Sequence, residues 1–147
     1  MKVLVLNCGS SSIKYQLRDP RRGETIAKGI VSKIGESNSY IEYEAGSFKT
    51  RKQTTVPNHS EGLALVIQSL LDKENGVIRG PSEISAVGHR VVHGGSIFTE
   101  TTLITDGVIQ MIKECIPLAP LHNPANLAGI TEAKKLLPNV PHVAVFD

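Results

Sequence analysis

Residues 4 to 15, Leu-Val-Leu-Asn-Cys-Gly-Ser-Ser-Ser-Ile-Lys-Tyr, run an apolar strand into a polar, glycine-containing turn and straight out into a second strand. Ile13, Tyr15 and Leu17 alternate with polar residues, which is the period of a strand and not of a helix. A tight antiparallel hairpin at the amino terminus is therefore predicted. Its turn is also chemically rich. Gly9 removes side-chain bulk, and Ser10, Ser11 and Ser12 set hydroxyls beside backbone N–H groups, an array that suits phosphate oxygens. Walker A needs G-x-x-x-x-G-K-[ST] opening a helix, and the dinucleotide fingerprint needs G-x-G-x-x-G opening a helix; neither spacing is present. The segment is either a hairpin that holds phosphate or an ordinary polar turn, and alone it does not choose between them.

The rest of the chain supplies the context. With 147 residues, 40% of them hydrophobic and 20% charged, it has the size and composition of one globular domain with a real core. A net charge of +2 gives no reason to expect nucleic acid or a membrane surface as a partner, and Arg18, Arg21 and Arg22 sit around Asp19-Pro20, where a solvated turn is expected. No apolar run approaches the roughly 20 residues of a membrane span. Met1-Lys2 leads into a short strand and not into a signal peptide, so a cytoplasmic protein is expected, with Cys8 and Cys115 as reduced thiols. The sequon Asn58-His59-Ser60 then carries no meaning as a glycosylation site.

Alternation and turn chemistry predict strands over Lys2 to Asn7, Ser12 to Arg18, Glu24 to Ile34, Ser39 to Glu44 and Phe48 to Thr55. Asn58 and Glu61 then form a capping-box-like pair ahead of the apolar stripe Leu63, Val66, Ile67, Leu70 and Leu71. A strand from Ile84 to Gly88 follows. Thr105 caps a second helix with Val108, Ile109, Ile112 and Ile116 inward, ended by Pro117. Asn123-Pro124 opens a third, with Leu127, Ile130, Ala133 and Leu137 inward, and Val143 to Phe146 reads as a buried strand. An antiparallel β-β-β opening followed by helix, strand, helix, strand is the order of the ribonuclease-H-like core of the actin, sugar kinase and chaperone-ATPase superfamily. The predicted class is accordingly α/β, a mixed sheet with flanking helices. Proteins of that superfamily bind nucleotide between two such domains, although a fold alone licenses no activity.

Three further segments carry chemistry. Ala86 to Gly95 reads Ala-Val-Gly-His-Arg-Val-Val-His-Gly-Gly, a buried strand that delivers a histidine and an arginine at its carboxyl end, where α/β sheets tend to place ligands. Arg90 is suited to fork around a carboxylate or phosphate; a surface ion pair is the plainer reading. His89 and His93 have no third ligand nearby, which argues against zinc. Ile116 to Asn126 is a loop stiffened by Pro117, Pro120 and Pro124, with His122 at the start of a helix, placed either to meet an anion or to pack locally. Asp147 follows an apolar strand. A carboxylate there suits orienting a nucleophile or holding magnesium; equally, it is only the last residue given.

Taken together, Asn7-Cys-Gly-Ser-Ser-Ser-Ile-Lys-Tyr15, Val87-Gly-His-Arg-Val-Val-His-Gly-Gly95, Pro117-Leu-Ala-Pro-Leu-His-Asn-Pro124 and Val143-Ala-Val-Phe-Asp147 closely resemble the acetate kinase family, in order and in spacing, over the whole chain. Cys8 is the one mild departure, in a slot where a small residue is expected. The resemblance implies reversible transfer of the γ-phosphoryl of ATP to acetate, dependent on Mg2+ or Mn2+, giving acetyl phosphate and ADP. By carry-over Asn7 belongs to the metal site, Lys14 contacts ATP, and Ser10 and Ser12 line the phosphate loop. Arg90 holds the acetate carboxylate, His122 steadies the transferring phosphoryl group, Asp147 is the catalytic carboxylate, and Val92 and Leu121 wall the pocket for the methyl group. Because acetate is already deprotonated at neutral pH, Asp147 fits a magnesium-binding or positioning role better than that of a proton acceptor.

Family members are much longer, and the resemblance places the adenosine-binding loops, a transition-state arginine, a second histidine and a magnesium-binding glutamate in a following half. Residues 1 to 147 are thus expected to be an amino-terminal domain without kinase activity of its own, and the full chain a homodimer. Propionate and butyrate kinases, which share the phosphate loop and the arginine, are the nearest alternative. A non-catalytic module that binds phosphate or a partner chain is the alternative of another class.

Overall fold

The computed structural model describes residues 1–91, 102–114, 116–118 and 123–146. The amino-terminal third folds as five strands joined by short turns: β1 (Val3–Cys8), β2 (Ser12–Asp19), β3 (Glu24–Ser32), β4 (Tyr40–Ala45) and β5 (Phe48–Gln53). Helix α1 (His59–Leu71), β6 (Ala86–Val91), the two-residue β7 (Thr102–Leu103), α2 (Asp106–Glu114), α3 (Asn123–Leu136) and β8 (His142–Phe146) follow. The strands form one mixed sheet in the order β5-β4-β3-β2-β1-β6-β8-β7. β1 to β5 pair as an antiparallel meander, while β1, β6 and β8 are parallel to one another.

Strand alternation separates two unlike faces. On one, Leu4, Leu6 and Cys8 of β1, Ile13, Tyr15 and Leu17 of β2 and Val87 of β6 are buried in the main core with Leu63, Val66 and Leu70 of α1. A second cluster, built on Val91, Val108, Ile112, Ile130 and Ala144, closes the β8 end of the sheet. Helix α1 packs on β2 and β3, α3 on β1 and β6, and α2 on α3. On the other face, where Asn7, Lys14 and Arg90 lie, strand positions are half-buried or exposed.

Close approaches at positions 29 and 129 require glycine. Gly29 of β3 stands opposite Tyr15, whose hydroxyl crosses over it to donate to the Glu42 carbonyl at 2.8 Å. A Cβ at position 29 would overlap both that carbonyl and the hydroxyl. At position 129 of α3 a Cβ would overlap Cys8 Sγ, so glycine lets the helix settle directly on the end of β1.

Most predicted elements are present, with informative differences at their ends. The Asn58 side chain accepts from Glu61 N–H at 2.9 Å, as the capping pattern requires, and Thr105 Oγ1 accepts from Val108 N–H at 3.3 Å. β3 stops at Ser32, short of the predicted Ile34, because the backbone turns at Lys33 (φ 57°) and Gly35 (φ 84°). β5 ends at Gln53 and not at Thr55; all its residues are exposed, and Lys49, Arg51 and Lys52 put charge along an edge strand. The strand predicted to end at Gly88 runs instead over Ala86–Val91, because parallel pairing with β8 continues through Arg90 and Val91. β7 was not predicted: two residues carry no periodic signal.

Candidate active-site edge

Strand register assembles the sequence-predicted residues. Asn7 is the cross-strand partner of Lys14, and Val5 is the partner of Gly88 in the parallel β1–β6 pair. Two residues on from Gly88, Arg90 falls on the same face and level as Asn7. Asn7, Lys14 and Arg90 therefore share one face on three neighbouring strands, spaced about 4.8 Å apart, near the carboxyl ends of β1 and β6. Ser12 lies on the same face of β2. Lys14 and Arg90 are exposed there, two cations placed to meet anions. A depression of 430 Å³ on this face starts at Asn7 and Lys14 and runs over Gln16 and Lys28 to Glu42; it does not include Arg90 and is not the expected acetate pocket.

The turn between β1 and β2 is held from several sides. Gly9 N–H donates to the Ser12 carbonyl at 2.9 Å and closes the hairpin. Ile34 N–H donates to the Ser11 carbonyl at 2.9 Å. Asn126 in the first turn of α3 donates from Nδ2 to the Cys8 carbonyl at 2.8 Å, and His59 at the start of α1 reaches the Gly9 carbonyl with Nε2 at 2.7 Å. Ser10 and Ser11, at the tip, are exposed. The geometry of this turn is thus fixed by ties to α1, α3 and Ile34 and is not that of a loose loop.

Val92, Leu121, His122 and Asp147, the other predicted site residues, lie outside the described residues, as do Cys115 and His93. Their neighbours are informative: Asn123, directly after His122, opens α3, and β8 carries the chain toward Asp147 in parallel with β6, Val145 pairing with Arg90. Burial pushes the Cys8 thiol up to about 12, so it stays protonated and acts as a small apolar side chain under Gly129.

In the sequence His89 reads only as half of an unsupported zinc pair, and no local signal singles out His142. Both are buried at 3% exposure, their rings stacked with centroids 5.3 Å apart and His89 Nε2 3.0 Å from His142 Nδ1. A carbonyl can only accept, so His142 Nε2 donates to the Leu137 carbonyl at 2.8 Å and its Nδ1 accepts from His89. Burial, and then the neighbouring His142, lower His89 to about 3; His142 is also lowered, by burial first and by Lys134, against the raising effect of its Leu137 bond. The pair is a neutral tie between β6 and β8.

Among the described residues no group of three or more His, Cys, Asp or Glu side chains could hold a metal ion. Among the described residues Asn7 offers a single hard oxygen on this face, so a magnesium ion there would be held mainly by phosphate oxygens and water.

Residues 2–147 match the model of the Acetokinase family. The chain belongs to that family. It is 54% identical over 148 residues to the acetate kinase of Halothermothrix orenii and 52% identical over 148 residues to that of Caldanaerobacter subterraneus subsp. tengcongensis, each alignment taking in all of this chain and 37% of the relative. The crystal structure of Porphyromonas gingivalis acetate kinase superposes with a TM-score of 0.96 at 46% identity, over 99% of this chain and 37% of that one. A propionate kinase from Francisella tularensis subsp. tularensis superposes at 0.90 with 36% identity, over 99% and 36% of the two chains. The chain thus spans a little over a third of the length of these relatives. Its fold is that of the acetokinase family, an α/β mixed sheet of the ribonuclease-H-like, actin and hexokinase class. Among the described residues no helix is long and apolar enough to cross a membrane.

Proposed function

We propose that these residues form the amino-terminal domain of an acetate kinase, which transfers the γ-phosphoryl of ATP to acetate and yields acetyl phosphate and ADP, reversibly. The observation that carries the reading is the shared face of Asn7, Lys14 and Arg90 at the carboxyl ends of β1 and β6, beside a backbone-pinned Gly-Ser turn.

Arg90 binds the acetate carboxylate with two parallel hydrogen bonds and orients one oxygen for attack on the γ-phosphorus. The new P–O bond forms as the bond to the β,γ-bridging oxygen breaks, and ADP leaves with that electron pair. No proton has to move, since acetate enters ionised. Catalysis is positioning plus charge neutralisation. Lys14 and the Ser10–Ser12 turn meet the phosphates, and Asn7 supplies one ligand to the magnesium ion, whose chemistry is to neutralise phosphate charge. His122 steadies the phosphoryl group, Asp147 serves as a positioning carboxylate, and Val92 and Leu121 bound the methyl group; these four roles rest on the resemblance of their motifs to the family. It also supports a cytoplasmic homodimer, whose remaining nucleotide contacts come from the rest of the chain.

The likeness to a propionate kinase favours a second reading, in which the carboxylate carries one more methylene. Acyl phosphate formed from MgATP by the full-length enzyme, trapped as hydroxamate, is expected in the order acetate, propionate, butyrate by kcat/KM. Fitting one more methylene into a pocket closed around a methyl group costs about 1 to 3 kcal/mol, so a preference for acetate of about fivefold or more is expected. A preference for propionate would replace the substrate, and no acyl phosphate from any of the three would remove the kinase reading.

A further inference from the structure

The two side chains that grip the phosphate turn from behind, His59 and Asn126, are assigned no role by the family motifs. A trans peptide is planar, so fixing the carbonyl of one residue fixes the N–H of the next in the opposite direction. His59 Nε2 holds the Gly9 carbonyl at 2.7 Å, which turns the Ser10 N–H away from α1. The Ile34 N–H holds the Ser11 carbonyl at 2.9 Å, and Asn126 Nδ2 holds the Cys8 carbonyl at 2.8 Å, fixing the root of the turn. Among the described residues, no acceptor meets the N–H of Ser10 or Ser11. Both donors are themselves anchored: His59 starts a helix capped by Asn58, and Asn126 is buried in a helix seated on Cys8 through Gly129.

We propose that His59 and Asn126 are positioning residues for phosphate transfer: by holding the carbonyls of Gly9 and Cys8 from the amino-terminal turns of α1 and α3, they fix the root of the turn and aim the Ser10 N–H at the nucleotide phosphates. The inference rests on the phosphate-transfer reading above and names residues that never touch substrate. Neither helix terminus is the anion site; each supplies a side chain that orients backbone donors. Packing of α1 or α3 on the sheet is thereby coupled to the geometry of the turn.

His59→Met and His59→Gln differ in one respect that matters, since both are unbranched and of similar size but only glutamine carries an N–H donor where Nε2 stood. In the full-length enzyme, calorimetric titration with MgATP is expected to show about five- to tenfold weaker binding for His59→Met and binding within about twofold of wild type for His59→Gln. KM for acetate should stay within about twofold in both, because Arg90 is untouched. Asn126→Leu should show the same split; if it fails to fold, the His59 pair still decides. Equal MgATP affinities for His59→Met and His59→Gln, a parallel rise of acetate KM, or no MgATP binding by wild type would overturn the proposal. Failure of the substrate reading is separable: it appears as absent acyl phosphate, while the MgATP titration still reports on the turn.

Discussion

Replacing Arg90 with lysine is expected to lower kcat/KM for acetate by about 10- to 100-fold, with KM for MgATP nearly unchanged. Acetate has so few atoms that a ceiling of about 1.5 kcal/mol per non-hydrogen atom caps its binding near 6 kcal/mol. Affinity therefore lies between about millimolar and micromolar at best. A methyl group offers little apolar area, so the carboxylate must supply much of the binding. A guanidinium gives it two parallel charge-assisted hydrogen bonds, and an ammonium gives one from a mobile point charge. Losing one such bond costs about 1.5 to 3 kcal/mol, which sets the expected range. Arg90 is exposed at the carboxyl end of β6, so Tm should move little. Steady-state kinetics with acetate and MgATP varied separately make the check. An Arg90→Lys enzyme with wild-type acetate kinetics would remove Arg90 from the substrate site.

Acid is expected to destabilise the domain through its buried histidines well before the carboxylates protonate. His89 and His142 are neutral in the folded chain and take up protons on unfolding near the ordinary value of about 6.5. Because their folded values are lowered, the unfolded state binds more protons as pH falls. Their stabilisation is complete above about pH 6.5 and is lost as pH drops toward the folded values. Each histidine contributes a slope of up to about 1.4 kcal/mol per pH unit, so His89, held near 3, gives up about 2 to 3 kcal/mol between pH 6.5 and 4.5. The groups facing the pair reinforce the direction: only one proton fits between the rings, and Lys134 on α3 disfavours charge on His142. Urea unfolding at pH 7, 6 and 5 should show a markedly shallower pH slope for His89→Gln, which keeps a donor toward His142 but does not titrate. Parallel slopes in the two proteins would contradict the account.

Signals that depend on local chemistry were legible in the sequence. The cap at Asn58 and Glu61, the alternation of Ile13, Tyr15 and Leu17, and the Gly-Ser turn each state their structure within a few residues. Pairing across long separations was not. β6 extends to Val91 because β8, more than fifty residues later, continues the ladder beyond the Gly88 at which local turn chemistry ended the predicted strand. The same distance hides the histidine pair, since His89 and His142 become partners only when β6 and β8 lie side by side. Asn126 and His59 were invisible for a related reason: their partners are backbone carbonyls, which any sequence possesses. Asn7 and Lys14 were found through the family motifs and Arg90 from its place at the carboxyl end of a buried strand, and strand register explains why the three lie together.

The most direct test compares acetyl phosphate formation from MgATP and acetate by the full-length enzyme and by residues 1–147 alone, at equal concentration. The account predicts acetyl phosphate from the full-length enzyme and none above background from the domain, which holds one wall of the site; turnover by the domain alone, or its absence in the full-length enzyme, would contradict it.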